Sequence, residues 1–78
     1  MKVEPNSVWT HKYGNRYKVL FLTNEKSERL EDYPITVVYY NLQNKTLWSR
    51  KLDDWHRSMT FHGYDYEYND PNIYLRTL

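Results

Sequence analysis

The chain contains no cysteine and no alanine, and only two of its 78 residues are glycine. Without thiols it has no disulfides, no thiol nucleophile and no thiolate metal site. Small secreted domains usually depend on disulfides, so we expect a cytoplasmic protein. Because alanine is the strongest helix former, its absence argues against a helical bundle. No run approaches the roughly 20 apolar residues that cross a bilayer, and the first residues lack the apolar segment of a signal peptide, so we expect no membrane contact.

Aromatic residues are abundant instead. Nine Tyr, three Trp and two Phe make up 18% of the chain. Such rings fit a pleated, half-buried surface better than a helix, so the composition favours a β fold. With 40% hydrophobic and 27% charged residues, the chain has the composition of a folded globular domain. A domain of this length buries only about 60% of the surface that its unfolded chain exposes, so we expect one small core.

Five short segments have the alternating pattern of strands. The predicted strands are 7–12, 16–23, 35–42, 46–50 and 60–62. Gly14 supplies a positive φ for the turn between the first two, and a turn over 43–45 joins the third and fourth into a hairpin. The second strand alternates at first, but Leu20 and Leu22 make its later half apolar on both faces, so we expect it to be covered on both sides.

The remaining segments connect these strands. Residues 24–34 are polar and read as a surface loop. Leu52, Trp55 and Met59 fall on one face of a short helical turn, with acidic residues at its start and basic residues near its end, as the helix dipole favours. This order predicts a mainly β fold for residues 1–63, a small SH3-like β-barrel of about five strands with one helical turn. Residues 64–78 form a C-terminal extension.

Three blocks of the chain resemble a known family. They are Trp9-x-His11-Lys12-x-Gly14-Asn15-x-Tyr17-x-Val19-Leu20, then Val37-Val38-Tyr39-x-x-Leu42, then Leu47-Trp48-x-Arg50. In order and spacing they are similar to the bacterial and phage family called domain of unknown function 1653. The resemblance implies a small β domain in a bacterial cell, encoded by the bacterium or a phage, and implies no activity. The loop after the second strand departs from the family pattern.

Charge is unevenly distributed along the chain, although the net charge is only +1. Residues 1–23 contain four basic residues and one acidic, and residues 35–63 contain four and two. The loop 24–34 contains two basic residues and four acidic, and the extension 64–78 one and three. The predicted barrel is therefore basic, and the loop and the extension are acidic.

Basic residues of the predicted barrel are interleaved with rings, a mixture that stacks bases and pairs with phosphates. The predicted ligand-binding residues are Trp9, His11, Tyr13, Arg16, Tyr17, Tyr40, Trp48 and Arg50. The first hypothesis is therefore a non-enzymatic binding module for a nucleotide or single-stranded nucleic acid. The competing interpretation is that the rings form the core and the charges a solvated shell.

The extension suggests a second hypothesis. Tyr64, Tyr66 and Tyr68 alternate with two acidic residues, so a strand there has rings on one face and carboxylates on the other. This pattern is typical of an added edge strand, and it also suits an interaction arm that binds a host protein or masks the basic face. The alternative function is thus a protein–protein interaction module, such as a phage-encoded inhibitor of a host or defence enzyme.

Enzymatic function has little support in the residues. His11, His56 and His62 are the only histidines, and none lies in a catalytic motif. We therefore expect no catalytic residues, no metal site and no cofactor. An enzyme completed by a dimer is a third alternative, and the sequence leaves the oligomeric state open.

Overall fold

The structure is a computed structural model that describes residues 2–67. Its strands are β1 (Ser7–His11), β2 (Arg16–Thr23), β3 (Thr36–Asn41), β4 (Leu47–Lys51) and β5 (Met59–Tyr64), with a 3-10 helix at Leu52–Asp54. All strand pairs are antiparallel, and they form one sheet in the order β4-β3-β2-β1-β5. The prediction of a mainly β fold with five strands is confirmed.

The sheet is open within residues 2–67. β4 and β5 are its two edge strands, and no strand pairing joins them there. The first four strands follow one another as a meander, and β5 returns to the far side of β1. A closed barrel is therefore not confirmed, and the SH3-like architecture stays a prediction.

The strand register divides the sheet into two faces, because side chains of directly opposed residues lie on the same side. Trp9 lies opposite Tyr17 and Phe61, and Tyr39 lies opposite Val19. We call this side the core face. Lys18 lies opposite Val8 and Tyr40 on the other side, which we call the outer face.

The core is built on the core face from rings and branched side chains. Its buried members are Val3, Trp9, Val19, Val37, Tyr39, Trp55 and Met59. Trp55, from the turn after the 3-10 helix, packs edge-on against Trp9 and Tyr39 at centroid distances of 5.8 and 4.9 Å. Edge-to-face contacts of this kind add to the stabilisation that burial provides. The indole N–H of Trp9 donates to the hydroxyl of Ser7 at 2.9 Å, so this buried polar group is satisfied.

Two bulges change which side chains reach the core. Val19 pairs with Tyr39 but Phe21 pairs with Val38, so Leu20 is an extra residue in β2. After this bulge Leu22 packs against the core and Phe21 is exposed. The prediction that both sides of this strand are covered is therefore wrong at Phe21. A second irregularity, opposite Val8 and Trp9, bends the pairing of β1 with β5.

The predicted helical turn over 52–59 is shorter in the structure. The 3-10 helix ends at Asp54, a turn follows, and Met59 begins β5 opposite His11. Trp55 is fully buried and Leu52 packs against the core, as their spacing indicates. Met59 is also buried, but it reaches the core from a strand.

Candidate ligand site on the core face

A row of rings crosses the core face near one end of the sheet. His11 and Tyr17 have ring centroids 6.2 Å apart, and Tyr17 and Tyr39 have centroids 5.2 Å apart. Tyr39 lies opposite Trp48 on the edge strand β4. At the other end the turn after β1 places Tyr13 against His11, with centroids 5.1 Å apart. We call these five residues the ring row.

The rings at the two ends of the ring row are exposed to solvent, and Tyr39 within the row is buried. Trp48 is 51% exposed and Tyr13 82% exposed, whereas Tyr39 is buried. The indole N–H of Trp48 donates to the hydroxyl of Thr46 at 2.6 Å, which orients the ring through its edge. Lys12 lies 5.3 Å from the centroid of the Tyr13 ring, within the range of a cation–π contact. Because the rings of Trp48 and Tyr13 are exposed, each has surface available for stacking.

Two arginines lie beside the ring row and share one carboxylate. Arg50 Nε donates to Asp54 Oδ2 at 3.2 Å, while Arg57 donates through Nε at 2.7 Å and a terminal nitrogen at 3.1 Å. We call Arg50 and Arg57 the guanidinium pair. The hydrogen bond from Arg57, with the nearby charges of both arginines, lowers the pKa of Asp54 to about 2, so this bridging carboxylate stays ionised at neutral pH. The same contact raises the pKa of Arg57.

Arg50 connects the guanidinium pair to the ring row. It lies on the core face opposite Val37, and its positive charge acts on the phenol of Tyr39. Burial raises the pKa of Tyr39, and the charge of Arg50 opposes that rise. The phenol therefore stays protonated at neutral pH.

His11 is the titratable ring of the site. Burial lowers its pKa, and the positive charges of Arg50, Lys12 and Arg57 lower it further. The ring is therefore neutral near pH 7. Its Nδ1 accepts a hydrogen bond from the backbone N–H of Tyr13 at 3.1 Å, so the proton lies on Nε2, which is a donor.

The structure brings together most of the predicted ligand-binding residues. His11, Tyr13, Tyr17, Trp48 and Arg50 converge on the core face. For the four in strands the grouping follows from alternation, since each is an even number of residues from a core position or opposite one across the sheet, while Tyr13 reaches this side from the turn after β1.

Three predicted ligand-binding residues lie elsewhere. Trp9 is only 2% exposed and packs edge-on against Trp55 and Phe61, so its ring is part of the core and has no face for a ligand. Arg16 lies opposite Thr10, and Tyr40 lies opposite Lys18, which places both on the outer face. Arg16 is the neighbour of Tyr17 in β2 and Tyr40 is the neighbour of Tyr39 in β3, and the pleat sends neighbouring side chains to opposite sides of the sheet.

The sequence prediction did not include Asp54 or Arg57. The signal was present, because an acid and a base three residues apart face each other on a helical turn. The same charge order also suits the helix dipole, so it does not by itself indicate a site. Asp54 also reaches Arg50, four residues earlier, because the chain passes directly from β4 into the 3-10 helix.

The described part of the C-terminal extension begins in the sheet and then turns onto the outer face. Tyr64, the last residue of β5, donates from its hydroxyl to Glu4 Oε1 at 2.8 Å, and this hydrogen bond raises its pKa. The rings of Tyr64 and Tyr66 stack with centroids 5.5 Å apart and an interplanar angle of 9°. Tyr68, the third predicted interaction residue, lies outside the described residues.

The alternating residues of the extension contact a buried lysine. Lys18 Nζ donates to the backbone carbonyl of Glu67 at 2.8 Å and lies 3.6 Å from Asp65 Oδ2. The Lys18 side chain is 1% exposed. Residues 65–67 therefore cover Lys18 on the outer face, on the side of the sheet away from the ring row.

Comparisons with protein families, curated proteins and solved structures find no match for this chain. The resemblance to the domain of unknown function therefore stays a prediction. In residues 2–67, no helix has the length and hydropathy needed to span a membrane. Over the same residues, no three histidine or acidic side chains are grouped as metal ligands.

Proposed function

We propose that this protein is a non-enzymatic binding module that recognises a nucleotide or single-stranded nucleic acid through the ring row and the guanidinium pair. The observation that carries the proposal is the position of Trp48, which is half exposed and lies two residues from Arg50 on the same face of an edge strand. A base stacked on the indole has its phosphate within reach of that arginine and its partner.

Stacking accounts for the affinity. A base stacked on an aromatic side chain contributes about 1–3 kcal/mol, and every base has a π face, so such a surface tolerates many sequences. Trp48 and Tyr13 are the open rings, and the row between them carries Tyr17, which is half-buried. The surface suits a short ligand of one or a few nucleotides.

Cations account for the charge preference. Arg57 is 63% exposed, and Lys12 lies at the Tyr13 end of the ring row. Arginine pairs with phosphate oxygens through two parallel N–H groups, and its planar group also stacks on bases. Because Asp54 holds the guanidinium pair in place before a ligand arrives, less side-chain entropy is lost on binding.

The strand order supports a further architectural proposal, that the sheet bends into an SH3-like barrel. A meander of four strands, a 3-10 turn and a fifth strand beside the first is the order expected of such a barrel, and the irregularities in β2 and β5 increase the bend.

We also propose the bacterial or phage origin and the cytoplasmic location on the resemblance and the composition alone.

Anisotropy titration of a short labelled oligonucleotide tests the binding proposal, at about 50 and 200 mM salt to separate phosphate contacts from stacking. Trp48→Ala removes the open ring and should weaken binding about 5- to 100-fold, the effect of losing one stacked base. Phe21→Ala is the matched control, since Phe21 is also an exposed ring on a strand but lies on the outer face. No binding by the native protein at either salt concentration rejects the proposal.

A protein-interaction module is the second candidate, favoured by the stacked pair Tyr64 and Tyr66. Tyr66 is 73% exposed, and stacked exposed tyrosines are typical of protein interfaces. Replacing Tyr66 with Ser should abolish retention of a specific host protein that the native chain retains. Tyr33→Ser, at another exposed tyrosine, is the control. Equal retention by both variants argues against this candidate.

A further inference from the structure

We propose that the ligand has a terminal phosphate monoester, whose dianion binds between the guanidinium pair and His11. This inference rests on the proposed function, because it names the part of a nucleotide that the cationic end of the site recognises. It distinguishes a mononucleotide or a phosphorylated strand end from an internal phosphodiester.

The first argument is the hydrogen-bonding capacity that Asp54 leaves unused. A guanidinium has five N–H donors. Asp54 accepts the Nε–H of Arg50, and it accepts the Nε–H and one terminal N–H of Arg57. Each arginine therefore keeps N–H groups that this carboxylate does not accept. Since one carboxylate holds both groups, these donors are fixed close together, as a phosphate with several terminal oxygens requires.

The second argument is charge. Lys12, Arg50 and Arg57 are the cations that act on His11, and Asp54 is the one carboxylate within residues 2–67 that pairs with the guanidinium pair. The cluster therefore has an excess of two positive charges. A phosphate monoester has a charge of about −1.5 to −2 at pH 7, whereas each phosphodiester has only one negative charge. The monoester is the better electrostatic match.

The third argument is the position and protonation of His11. Its Nε2–H is a donor, and the ring is neutral because burial and the three cations disfavour the imidazolium. A bound dianion offsets those cations and favours the charged ring, so binding should be accompanied by proton uptake. Met59 on β5 lies opposite His11, and the backbone N–H of Lys12 donates to the carbonyl of Ser58 at 2.9 Å, which brings the turn after β1 next to Arg57. The rings of Tyr13 and Tyr17 pack against His11, and the charges of Lys12, Arg50 and Arg57 act on it.

Three forms of one labelled oligonucleotide test the inference, with a 5′-phosphate, a 3′-phosphate or hydroxyls at both ends, and the label placed internally. A gain of one charge-assisted hydrogen bond corresponds to about 10- to 100-fold tighter binding of a phosphorylated form. Competition by AMP against adenosine gives the same comparison for a mononucleotide. Equal affinity for phosphorylated and unphosphorylated forms overturns the inference and leaves the proposed function intact, whereas no binding of any form rejects both.

Arg57→Gln and Arg29→Gln form a matched pair of variants. Each arginine is exposed and pairs with an aspartate three residues away, but Arg29 lies in the loop before β3. We expect Arg57→Gln to reduce the preference for phosphate to about threefold or less, and Arg29→Gln to leave it unchanged. Circular dichroism spectra check that both variants are folded. Equal loss of preference in the two variants contradicts a local phosphate site.

A second readout follows His11 directly. Proton NMR titration of the three histidine rings, with and without AMP, should show an upward shift of the His11 pKa, with His56 and His62 as internal references. The His11→Gln variant assigns the signal. An unchanged His11 pKa at saturating AMP places the phosphate elsewhere and overturns the inference.

Discussion

The two faces of the sheet each hold a cluster of basic and acidic groups, but in different surroundings. On the outer face Lys18 is 1% exposed and bound to Asp65 and the carbonyl of Glu67. At the rim of the core face Arg57 is 63% exposed and shares Asp54 with Arg50. Both clusters join basic side chains to an aspartate. Burial is what separates them.

The difference assigns them different roles. A buried ammonium is tolerated only when it is paired and hydrogen-bonded, so the Lys18 contacts are a condition for folding and leave nothing for a ligand. In the guanidinium pair, Arg57 is exposed and loses little solvation, whereas Arg50 is only 13% exposed, and both keep donors that Asp54 does not accept. The charged side chains at the solvent-exposed edge of the core face are therefore better suited to binding a ligand than Lys18 on the outer face.

Charge reversal at Lys18 is the strongest test of this contrast. Lys18→Glu places a second carboxylate beside Asp65 in a buried position, and we expect the free energy of unfolding to fall by about 3–5 kcal/mol. Urea denaturation measures the change. Lys18→Met keeps the volume and removes the charge, so its cost should be within about 1.5 kcal/mol, because Asp65 can still reach solvent. A Lys18→Glu variant as stable as the native chain contradicts the structural role.

The acidic partner should show a smaller effect. Asp65→Asn leaves Lys18 buried with the Glu67 carbonyl as its hydrogen-bond acceptor, and we expect a loss of about 2 kcal/mol, below that for a fully buried pair because Asp65 is half-exposed. Asp32→Asn removes the carboxylate of an exposed pair and should cost at most about 0.5 kcal/mol. If the two variants lose equal stability, burial is not what distinguishes the pairs.

The two glycines extend the comparison to the backbone. Gly14 has φ 103° in the turn that positions Tyr13, a conformation that side chains disfavour, so Gly14→Ala should cost about 1–2 kcal/mol. Gly63, opposite Val8 in β5, has open space where a Cβ would lie, and Gly63→Ala should change stability by no more than about 0.5 kcal/mol. Thermal unfolding of both variants measures the difference. A Gly14→Ala cost no larger than that of Gly63→Ala would show that the turn adapts.

Local patterns were sufficient to predict the strands. β2 spans the predicted residues 16–23, and β3 and β4 differ from their predicted bounds by one residue at each end. Alternation of apolar and polar residues, with turn residues such as Gly14 between the runs, depends only on near neighbours. For that reason the element order could be predicted from the sequence.

The candidate site depended on information that local patterns lack. Trp9 and Trp48 lie in similar alternating runs, but β1 is between two strands and β4 is an edge, and only the pairing of β1 with β5 determines which ring is buried. The extra residue Leu20 shifts the faces of β2 without any signal from glycine or proline. Lys18 is buried because residues 65–67, far along the chain, cross over it.

The smallest expected effect is the pH dependence from His11, which links the core-face site to stability. Its pKa is lower in the folded chain than its ordinary value of 6.5, so the unfolded chain binds the proton more tightly. Above pH 6.5 the ring is neutral in both the folded and the unfolded chain, so it does not change the free energy of unfolding. As the pH drops below 6.5 toward the lower pKa of the folded chain, the free energy of unfolding falls. Urea denaturation at about pH 8 and pH 5 should show this loss, and His11→Gln should reduce it, while His62→Gln should not. An equal pH dependence in the two variants would mean that the cations around His11 are too well screened to act on it, which would weaken the electrostatic case for a phosphate at the guanidinium pair.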